Sequence, residues 1–192
     1  MHTAVVRHVH QQQQQQLHTL CPPALCALRL WLSMAIFEVP PFPLSARVLL
    51  VMMMDSVDCR MHPSVALTER TPAYCSTYQY QRADKLCDLA VYAYLLVRTL
   101  RGAFAHSRLQ QLILVGLFAF RVVGSVLFLK YPQHGRVWFT RFPDVFREVL
   151  LFFSVLHDLR IKNVPPALLL GVVAVLCGAK WCVEHSFHMS RE

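Results

Sequence analysis

Residues 109–130 read LQQLILVGLFAFRVVGSVLFLK, and Arg121 is the one charged residue before Lys130. As an α-helix this stretch is about 30 Å long, which matches the thickness of the hydrocarbon core of a bilayer. A helix this apolar in a soluble protein would need protein on every side, which a chain of 192 residues can hardly supply. The stretch therefore predicts a transmembrane helix with one arginine near its middle.

The composition favours the same class. The chain is 55% hydrophobic and 16% charged, against about 25% charged residues in ordinary soluble domains. The formal net charge is +8, but the basic residues stand mainly at the ends of apolar segments, where they meet lipid headgroups or set topology. No basic run is interleaved with aromatic residues, so nucleic acid is not a predicted partner. Seven cysteines without a C-x-x-C spacing predict reduced thiols.

Hydrophobic runs and helix-boundary residues predict an all-α polytopic bundle of about four transmembrane helices. Their predicted ranges are 83–100, 109–130, 143–159 and 164–183, followed by a polar tail at 184–192. Pro143 and Asp144 suit the first turn of the third helix. Alternation across the bilayer puts the larger set of basic residues on the side of both termini, which predicts cytoplasmic termini. That set is Arg82, Lys85, Lys130, Arg136, Arg141, Arg147, Lys180 and Arg191, against Arg98, Arg101, Arg108, Arg160 and Lys162.

The N-terminal third differs from the rest. Residues 1–82 include a glutamine tract at 11–16 and predict a low-complexity, loosely structured region. The apolar segment 24–37 contains Arg29, lies between proline pairs and is too short to span comfortably, so an interfacial helix or an uncleaved signal both remain open. A later start, at Met52, Met53, Met54 or Met61, is a further alternative.

Arg121 leads to the predicted functional residues. An arginine deep in a membrane helix faces protein or water, because its insertion costs about 2.5–3.5 kcal/mol. Asp88 and Glu148 each lie about five residues into a helix that enters from the side where the Arg121 helix exits, so we expect Asp88, Arg121 and Glu148 to form an intramembrane charge network. Secondary candidates are Asp84, Asp144, His157 and Asp158. The network is interpreted as a structural ion pair, as a functional pocket or as an arginine that reaches the headgroups alone.

Two further patterns concern packing and metal binding. Small residues at four-residue spacing mark expected helix-packing faces. These residues are Gly116, Gly124, Ala167, Gly171, Ala174 and Gly178. Cys182, His185 and His188 follow one another at three-residue steps, which sweep too far round a helix to chelate together, so no metal site and no cofactor is predicted.

These observations favour a small integral membrane protein that acts as a non-enzymatic structural or accessory subunit. Its expected partners are the lipid bilayer and other membrane subunits or further copies of itself. A transporter or channel that uses Asp88, Arg121 and Glu148 as a polar pathway is the alternative. A lipid-modifying membrane enzyme, with Asp84, Asp88, Asp144 and Glu148 as acid/base or metal-binding groups, is the third. The organelle is left open.

Overall fold

The computed structural model describes residues 26–39, 42–57, 78–101, 107–131 and 135–189, and all regular structure in these ranges is helical. The first helix, α1, covers residues 26–38. The later helices are α2 (Leu44–Val57), α3 (Tyr78–Leu100), α4 (Arg108–Lys130), α5 (Gly135–Arg141), α6 (Phe146–Asp158) and α7 (Pro166–Met189). The all-α prediction is confirmed.

Local sequence explains where the central helices start and stop. Ser107 caps α4: its hydroxyl accepts from the Gln110 N–H, and the Gln110 side chain accepts from the Ser107 N–H in return. At the other end of the chain α7 begins directly after Pro165, with Pro166 at its first position, where the missing N–H of proline has no cost.

Helix α6 ends in an unusual way. Arg160 follows it with a φ of 55°, in the left-handed region that favours glycine. The Arg160 N–H donates to the His157 carbonyl and the Ile161 N–H to the Leu156 carbonyl, both at 2.9 Å. These two bonds form the closing motif that usually carries glycine, and a larger residue there costs roughly 1–2 kcal/mol.

The core forms around α6. Val149, Leu150 and Phe153 are fully buried, and α6 contacts α2, α4 and α7. Helix α2 contributes Val48 and Val51 to the same core. Burial of each of these side chains stabilises the fold by about 1.5–3 kcal/mol.

The helices alternate in direction. Arg29 near the start of α1 meets Asp84 near the start of α3, and Glu38 at the end of α1 meets Arg98 near the end of α3, so α1 and α3 run parallel. Asp158 at the end of α6 accepts hydrogen bonds at the start of α2, so α2 and α6 run antiparallel. Phe118 of α4 contacts Phe146 at the start of α6, and Arg121, further along α4, contacts Phe142 before α6, so α4 and α6 run antiparallel. Tyr78 at the start of α3 donates to the Leu129 carbonyl at the end of α4, and Glu148 near the start of α6 pairs with Lys180 late in α7, so these two pairs of helices are antiparallel as well. The end of α3, the start of α4, the end of α6 and the start of α7 therefore lie at one end of the bundle.

The structure changes two predictions of the sequence. Helix α6 has 13 residues, about 20 Å, and its 0–1% exposed side chains are covered by other helices, so the predicted segment 143–159 contains a shorter helix that lies in the core. Residues 26–38 and 44–57 are packed helices, although the sequence favoured a loosely structured region over 1–82. The glutamine tract lies outside the described residues.

Two helices in the described ranges are long and apolar enough to cross a membrane: Arg108–Lys130 and Pro166–Ser186. Only 28% of the apolar window of the first and 11% of that of the second is buried inside the protein. Helix α3 has 23 residues but carries Arg82, Asp84, Lys85, Asp88 and Arg98. Most of the apolar surface of α4 and α7 thus faces outward.

Candidate functional site: a buried charge layer

Ten ionisable side chains from five helices and from the turn before α6 form one cluster, which we call the charge layer. Its members are Arg29, Asp84, Lys85, Asp88, Arg121, Asp144, Arg147, Glu148, Lys180 and Glu184. Five are cations and five are carboxylates, so their formal charges cancel. Along α4 the layer lies about 20 Å from the start of the helix and about 14 Å from its end.

Helix α3 supplies the centre of the layer. Asp84 and Asp88 share a face of this helix because they are four residues apart. Lys85 lies between them, with its Nζ 2.7 Å from Asp84 Oδ2 and 3.1 Å from Asp88 Oδ2. Asp88 is 1% exposed, so its charge depends on these partners for compensation.

Arg29 of α1 binds the same two carboxylates. Its Nη1 donates to Asp84 Oδ1 at 2.8 Å, and its Nη2 donates to Asp88 Oδ1. Arg29 is not a member of the network expected from the sequence. Arg29 could have been found in the same way as Arg121, because it too is a lone arginine in an apolar segment.

Arg121 lies between α3 and the turn before α6. Its Nη2 is 3.8 Å from Asp88 Oδ2 and 3.7 Å from Asp144 Oδ2, and its Nη1 donates to the Phe142 carbonyl at 3.3 Å. The guanidinium thus bridges two buried carboxylates. The pairing of Arg121 with Asp88 lies within the predicted network, and Asp144, a secondary candidate, takes the place expected for Glu148.

Asp144 is held by two further groups. The Tyr92 hydroxyl donates to Asp144 Oδ2 at 2.5 Å, and Arg147 Nε lies 3.2 Å from the same oxygen. Asp144 Oδ1 and the Ser125 hydroxyl are buried and have no hydrogen-bond partner among the residues described. Pro143 and Asp144 precede α6, so the residues predicted for a first helical turn instead form the turn that enters it.

Glu148 lies at the edge of the layer. Its Oε1 is 3.0 Å from Lys180 Nζ of α7, and Lys180 is also 3.6 Å from Glu184. The sequence left Asp88 and Glu148 as alternative partners of Arg121; the structure places Asp88 beside Arg121, and the ion pair of Glu148 joins α6 to α7. The spacing of the sequence puts Glu148 at about the same depth in the bundle as Arg121. The face of α6 on which Glu148 lies is turned toward Lys180 of α7.

Close backbone packing brings Arg121 to Asp144. A β-carbon built on Gly124 would lie 3.0 Å from Phe142 Cγ and closer still to Phe142 Cβ. Gly124 thus provides the space that lets α4 approach the turn before α6. At Gly116, Gly171 and Gly178 a β-carbon would meet no described atom within 4 Å, and Ala167 and Ala174 are exposed. The expected packing at these five positions is absent within the described part of the chain.

The layer has little open space. A cavity of about 10 Å³, lined by Arg29, Tyr92, Arg147 and apolar side chains, lies beside it. This volume suits about one water molecule. Among the described residues no group of three or more His, Cys, Asp or Glu side chains is arranged to hold a metal ion.

His157 and Asp158 lie apart from the layer. Asp158 Oδ1 accepts from the Leu44 N–H at 3.0 Å and Oδ2 accepts from the Ser45 N–H at 2.7 Å, so this carboxylate caps α2. Burial acts to raise the pKa of Asp158, but the hydrogen bonds from Ser45 and Leu44 outweigh it and hold the pKa below its ordinary value. The geometry is that of a cap between helices, with His157 Nδ1 3.5 Å from Asp158 Oδ1.

No protein-family model matches this chain, and neither a curated protein nor a solved structure matches it. The class is therefore defined by the fold alone. This is an all-α protein with two helices long and apolar enough to cross a membrane.

Proposed function

We propose that this chain is a small integral membrane protein in which α4 and α7 cross the bilayer, and that it acts as a non-enzymatic accessory subunit. The observation that supports this proposal is the contrast between the outer surface of the helix bundle and its interior. Large apolar side chains point outward, while the charges of the layer point inward and compensate one another.

The exposed apolar surface supports the proposal that lipid surrounds α4 and α7. Leu112 of α4 is 69% exposed and Val175 of α7 is 70% exposed, and most of the apolar window of each helix is uncovered. Exposed apolar surface on this scale is unfavourable in water and neutral in lipid. Trp31 of α1 and Met53 of α2 are exposed apolar side chains of the N-terminal helices.

The inward charges support a structural role for the layer. Asp88 has three cations within 3.8 Å, and the adjoining cavity has room for about one water. A buried carboxylate with this many partners stays ionised, and a proton relay or substrate site needs a group that can change partners. The ion pairs of the layer determine which helices pack together and how far each is shifted along its neighbour.

The open face of α7 supports association with another helix. Ala167, Gly171, Ala174 and Gly178 lie on it, and a groove beside Gly171 runs between Leu168 and Val175. Small residues of this kind let a second helix approach closely in a membrane. We therefore propose a membrane subunit or a second copy of the chain as the partner on α7.

Alkaline carbonate extraction of membranes tests the first part of the proposal. The full chain should stay in the membrane pellet, and its release into the supernatant would overturn the membrane assignment. Gly171→Leu with Gly178→Leu tests the second part, read as particle size in mild detergent. The pair should disperse an assembly, whereas Gly116→Leu, which adds the same bulk to an open position of α4, should leave it intact. Equal particle sizes for all three proteins would argue against the α7 face.

Transport is the second candidate, and one observation favours it. Asp144 Oδ1 and the Ser125 hydroxyl are buried polar atoms with no hydrogen-bond partner among the residues described, next to Arg121. Such atoms can line a polar path in which Asp88, Arg121 and Glu148 take part. Ion flux into vesicles carrying the purified protein, lost in Asp144→Asn without loss of folding, would favour transport over the accessory role. A lipid-modifying enzyme, the third alternative, would require turnover of a lipid substrate by the same preparation.

A further inference from the structure

Four exposed cations lie at the end of the bundle opposite α5, and we call this surface the basic end. They are Arg101, Arg108, Arg160 and Lys162. Arg101 follows α3, Arg108 begins α4, and Arg160 and Lys162 lie between α6 and α7. The antiparallel contact of α4 with α6 brings these three sites to the same end.

These cations have no ion-pair partner among the residues described. The two described carboxylates at this end are engaged elsewhere, because Glu38 pairs with Arg98 at 2.9 Å and Asp158 caps α2. Five further carboxylates of the described part of the chain belong to the charge layer, about 20 Å away along the helices, and Asp55 lies in the last turn of α2, at the far end of that helix from Leu44. The basic end therefore carries uncompensated positive charge.

Large apolar side chains alternate with these cations. Leu100 precedes Arg101, and Leu159 and Ile161 flank Arg160, with exposures of 46%, 64% and 42%. Alternating apolar and cationic side chains suit the boundary of a bilayer, where the apolar groups enter the acyl region and the cations meet phosphate. Arg160 keeps its cation at a left-handed position that glycine would occupy without strain.

The opposite end is arranged differently. There Lys130 lies over the Tyr131 ring at 5.3 Å from its centroid, and Arg141 lies over the Trp138 ring at 5.8 Å. Two of its cations thus lie against aromatic rings. We call this surface the aromatic end.

We propose that the basic end binds the headgroups of anionic phospholipids in one leaflet. This inference rests on the proposed membrane function and adds the partner of a particular surface. Charge complementarity selects the partner, because this end exposes four cations and its two described carboxylates are engaged by other groups. The neighbouring apolar side chains hold the cations at the level of the headgroups. In a membrane whose cytoplasmic leaflet is the anionic one, the basic end faces the cytoplasm, and the start of α1 and the end of α7 face the other side, opposite to the orientation expected from the sequence.

The structure also explains the disagreement about orientation. Lys85, Arg147 and Lys180 are among the eight basic residues near helix ends that favoured cytoplasmic termini. In the structure all three pair with carboxylates of the charge layer. Without these three residues the two sides carry equal numbers of basic residues, so the excess that favoured cytoplasmic termini disappears.

The test uses the full chain in nanodiscs of phosphatidylcholine alone and of phosphatidylcholine with 30% phosphatidylglycerol, with thermal unfolding as the readout. The wild type should unfold at a higher temperature in the anionic discs, and the difference should shrink as salt is added. Changing all four cations to glutamine should abolish the difference. The matched control, Arg82→Gln with Lys130→Gln and Arg141→Gln at the other end, should keep it. Each cation near an anionic surface contributes roughly a factor of five in binding.

Two further arms make the outcome decisive. Arg101→Lys, Arg108→Lys and Arg160→Lys together keep the charge and should keep the difference, even if the glutamine variant fails to fold. Inorganic phosphate added to neutral discs should not reproduce it. Equal unfolding temperatures of the wild type in both discs, or equal losses in the basic-end and control variants, would overturn the lipid site. A chain that does not enter neutral discs at all would instead overturn the proposed membrane function.

Discussion

Gly124 of α4 lies against Phe142, and the space between them is too small for a methyl group. The β-carbon of an alanine at position 124 would approach Phe142 Cβ and Cγ, which lie next to the backbone and cannot swing away. The contact sets the distance between Arg121 and Asp144, since both residues lie within a few positions of it.

Gly124→Ala should lower the free energy of unfolding by about 1–3 kcal/mol, because α4 must move away from the turn before α6. Gly116→Ala is the matched control. It adds the same methyl group to the same helix at an open position and should stabilise the protein by up to about 1 kcal/mol through helix propensity. Unfolding by sodium dodecyl sulfate in mixed micelles measures both. Equal stability of the two variants would show that the Gly124 contact is not tight.

Arg29→Gln should be among the most destabilising single changes in the chain. It keeps much of the side-chain volume but removes the charge between Asp84 and Asp88, and loss of one partner from a buried ion pair costs about 3–5 kcal/mol. Arg98→Gln is the control, because the Arg98–Glu38 pair is more than one-third exposed on both sides and contributes about 1 kcal/mol or less. The same unfolding assay compares them. A similarly small loss of stability in both variants would show that Arg29 does not compensate the buried carboxylates of the charge layer.

A chain that begins at Met54 should still enter membranes but should be markedly less stable. It keeps α4 and α7, the two helices of the described ranges that are long and apolar enough to cross a membrane. It loses α1 and most of α2, and with them Arg29 and the core side chains of Phe37, Val48 and Val51. Burial of three such side chains is worth on the order of 5 kcal/mol. Carbonate extraction reports insertion and detergent unfolding reports stability, and full stability of the short chain would contradict the packing of α1 and α2.

Asp158→Asn should weaken the start of α2 in a pH-dependent way. The pKa of Asp158 is lowered in the folded protein, so its ionised form stabilises the fold above the ordinary pKa of 3.8, and this contribution disappears as the pH falls through the lower folded value. We therefore expect a loss of about 0.5–2 kcal/mol at neutral pH that shrinks below pH 4. Glu38→Gln, which changes an exposed carboxylate, is the control. A loss that is unchanged at low pH would point to packing rather than to the capping charge.

The sequence determined those features that depend on one helix at a time. An uninterrupted apolar run predicts a long helix by its length alone, which is why 109–130 and 164–183 correspond to α4 and α7. Helical periodicity likewise puts Asp84 and Asp88 on one face and places Gly124 beside the face of Arg121. The capping of α4 by Ser107 follows the same local logic.

Only the tertiary structure decided which of these faces meet. The partner of Arg121 depends on where α6 begins and on how it packs: Asp144 lies in the turn before α6 and faces Arg121, whereas Glu148 lies in the first turn of α6 and pairs with Lys180 of α7. Arg29 reaches Asp88 across 59 residues of sequence, and the short helix α6 becomes the core because α2, α4 and α7 surround it. These contacts arise from packing between distant segments, and helical periodicity carries no information about the position of another helix.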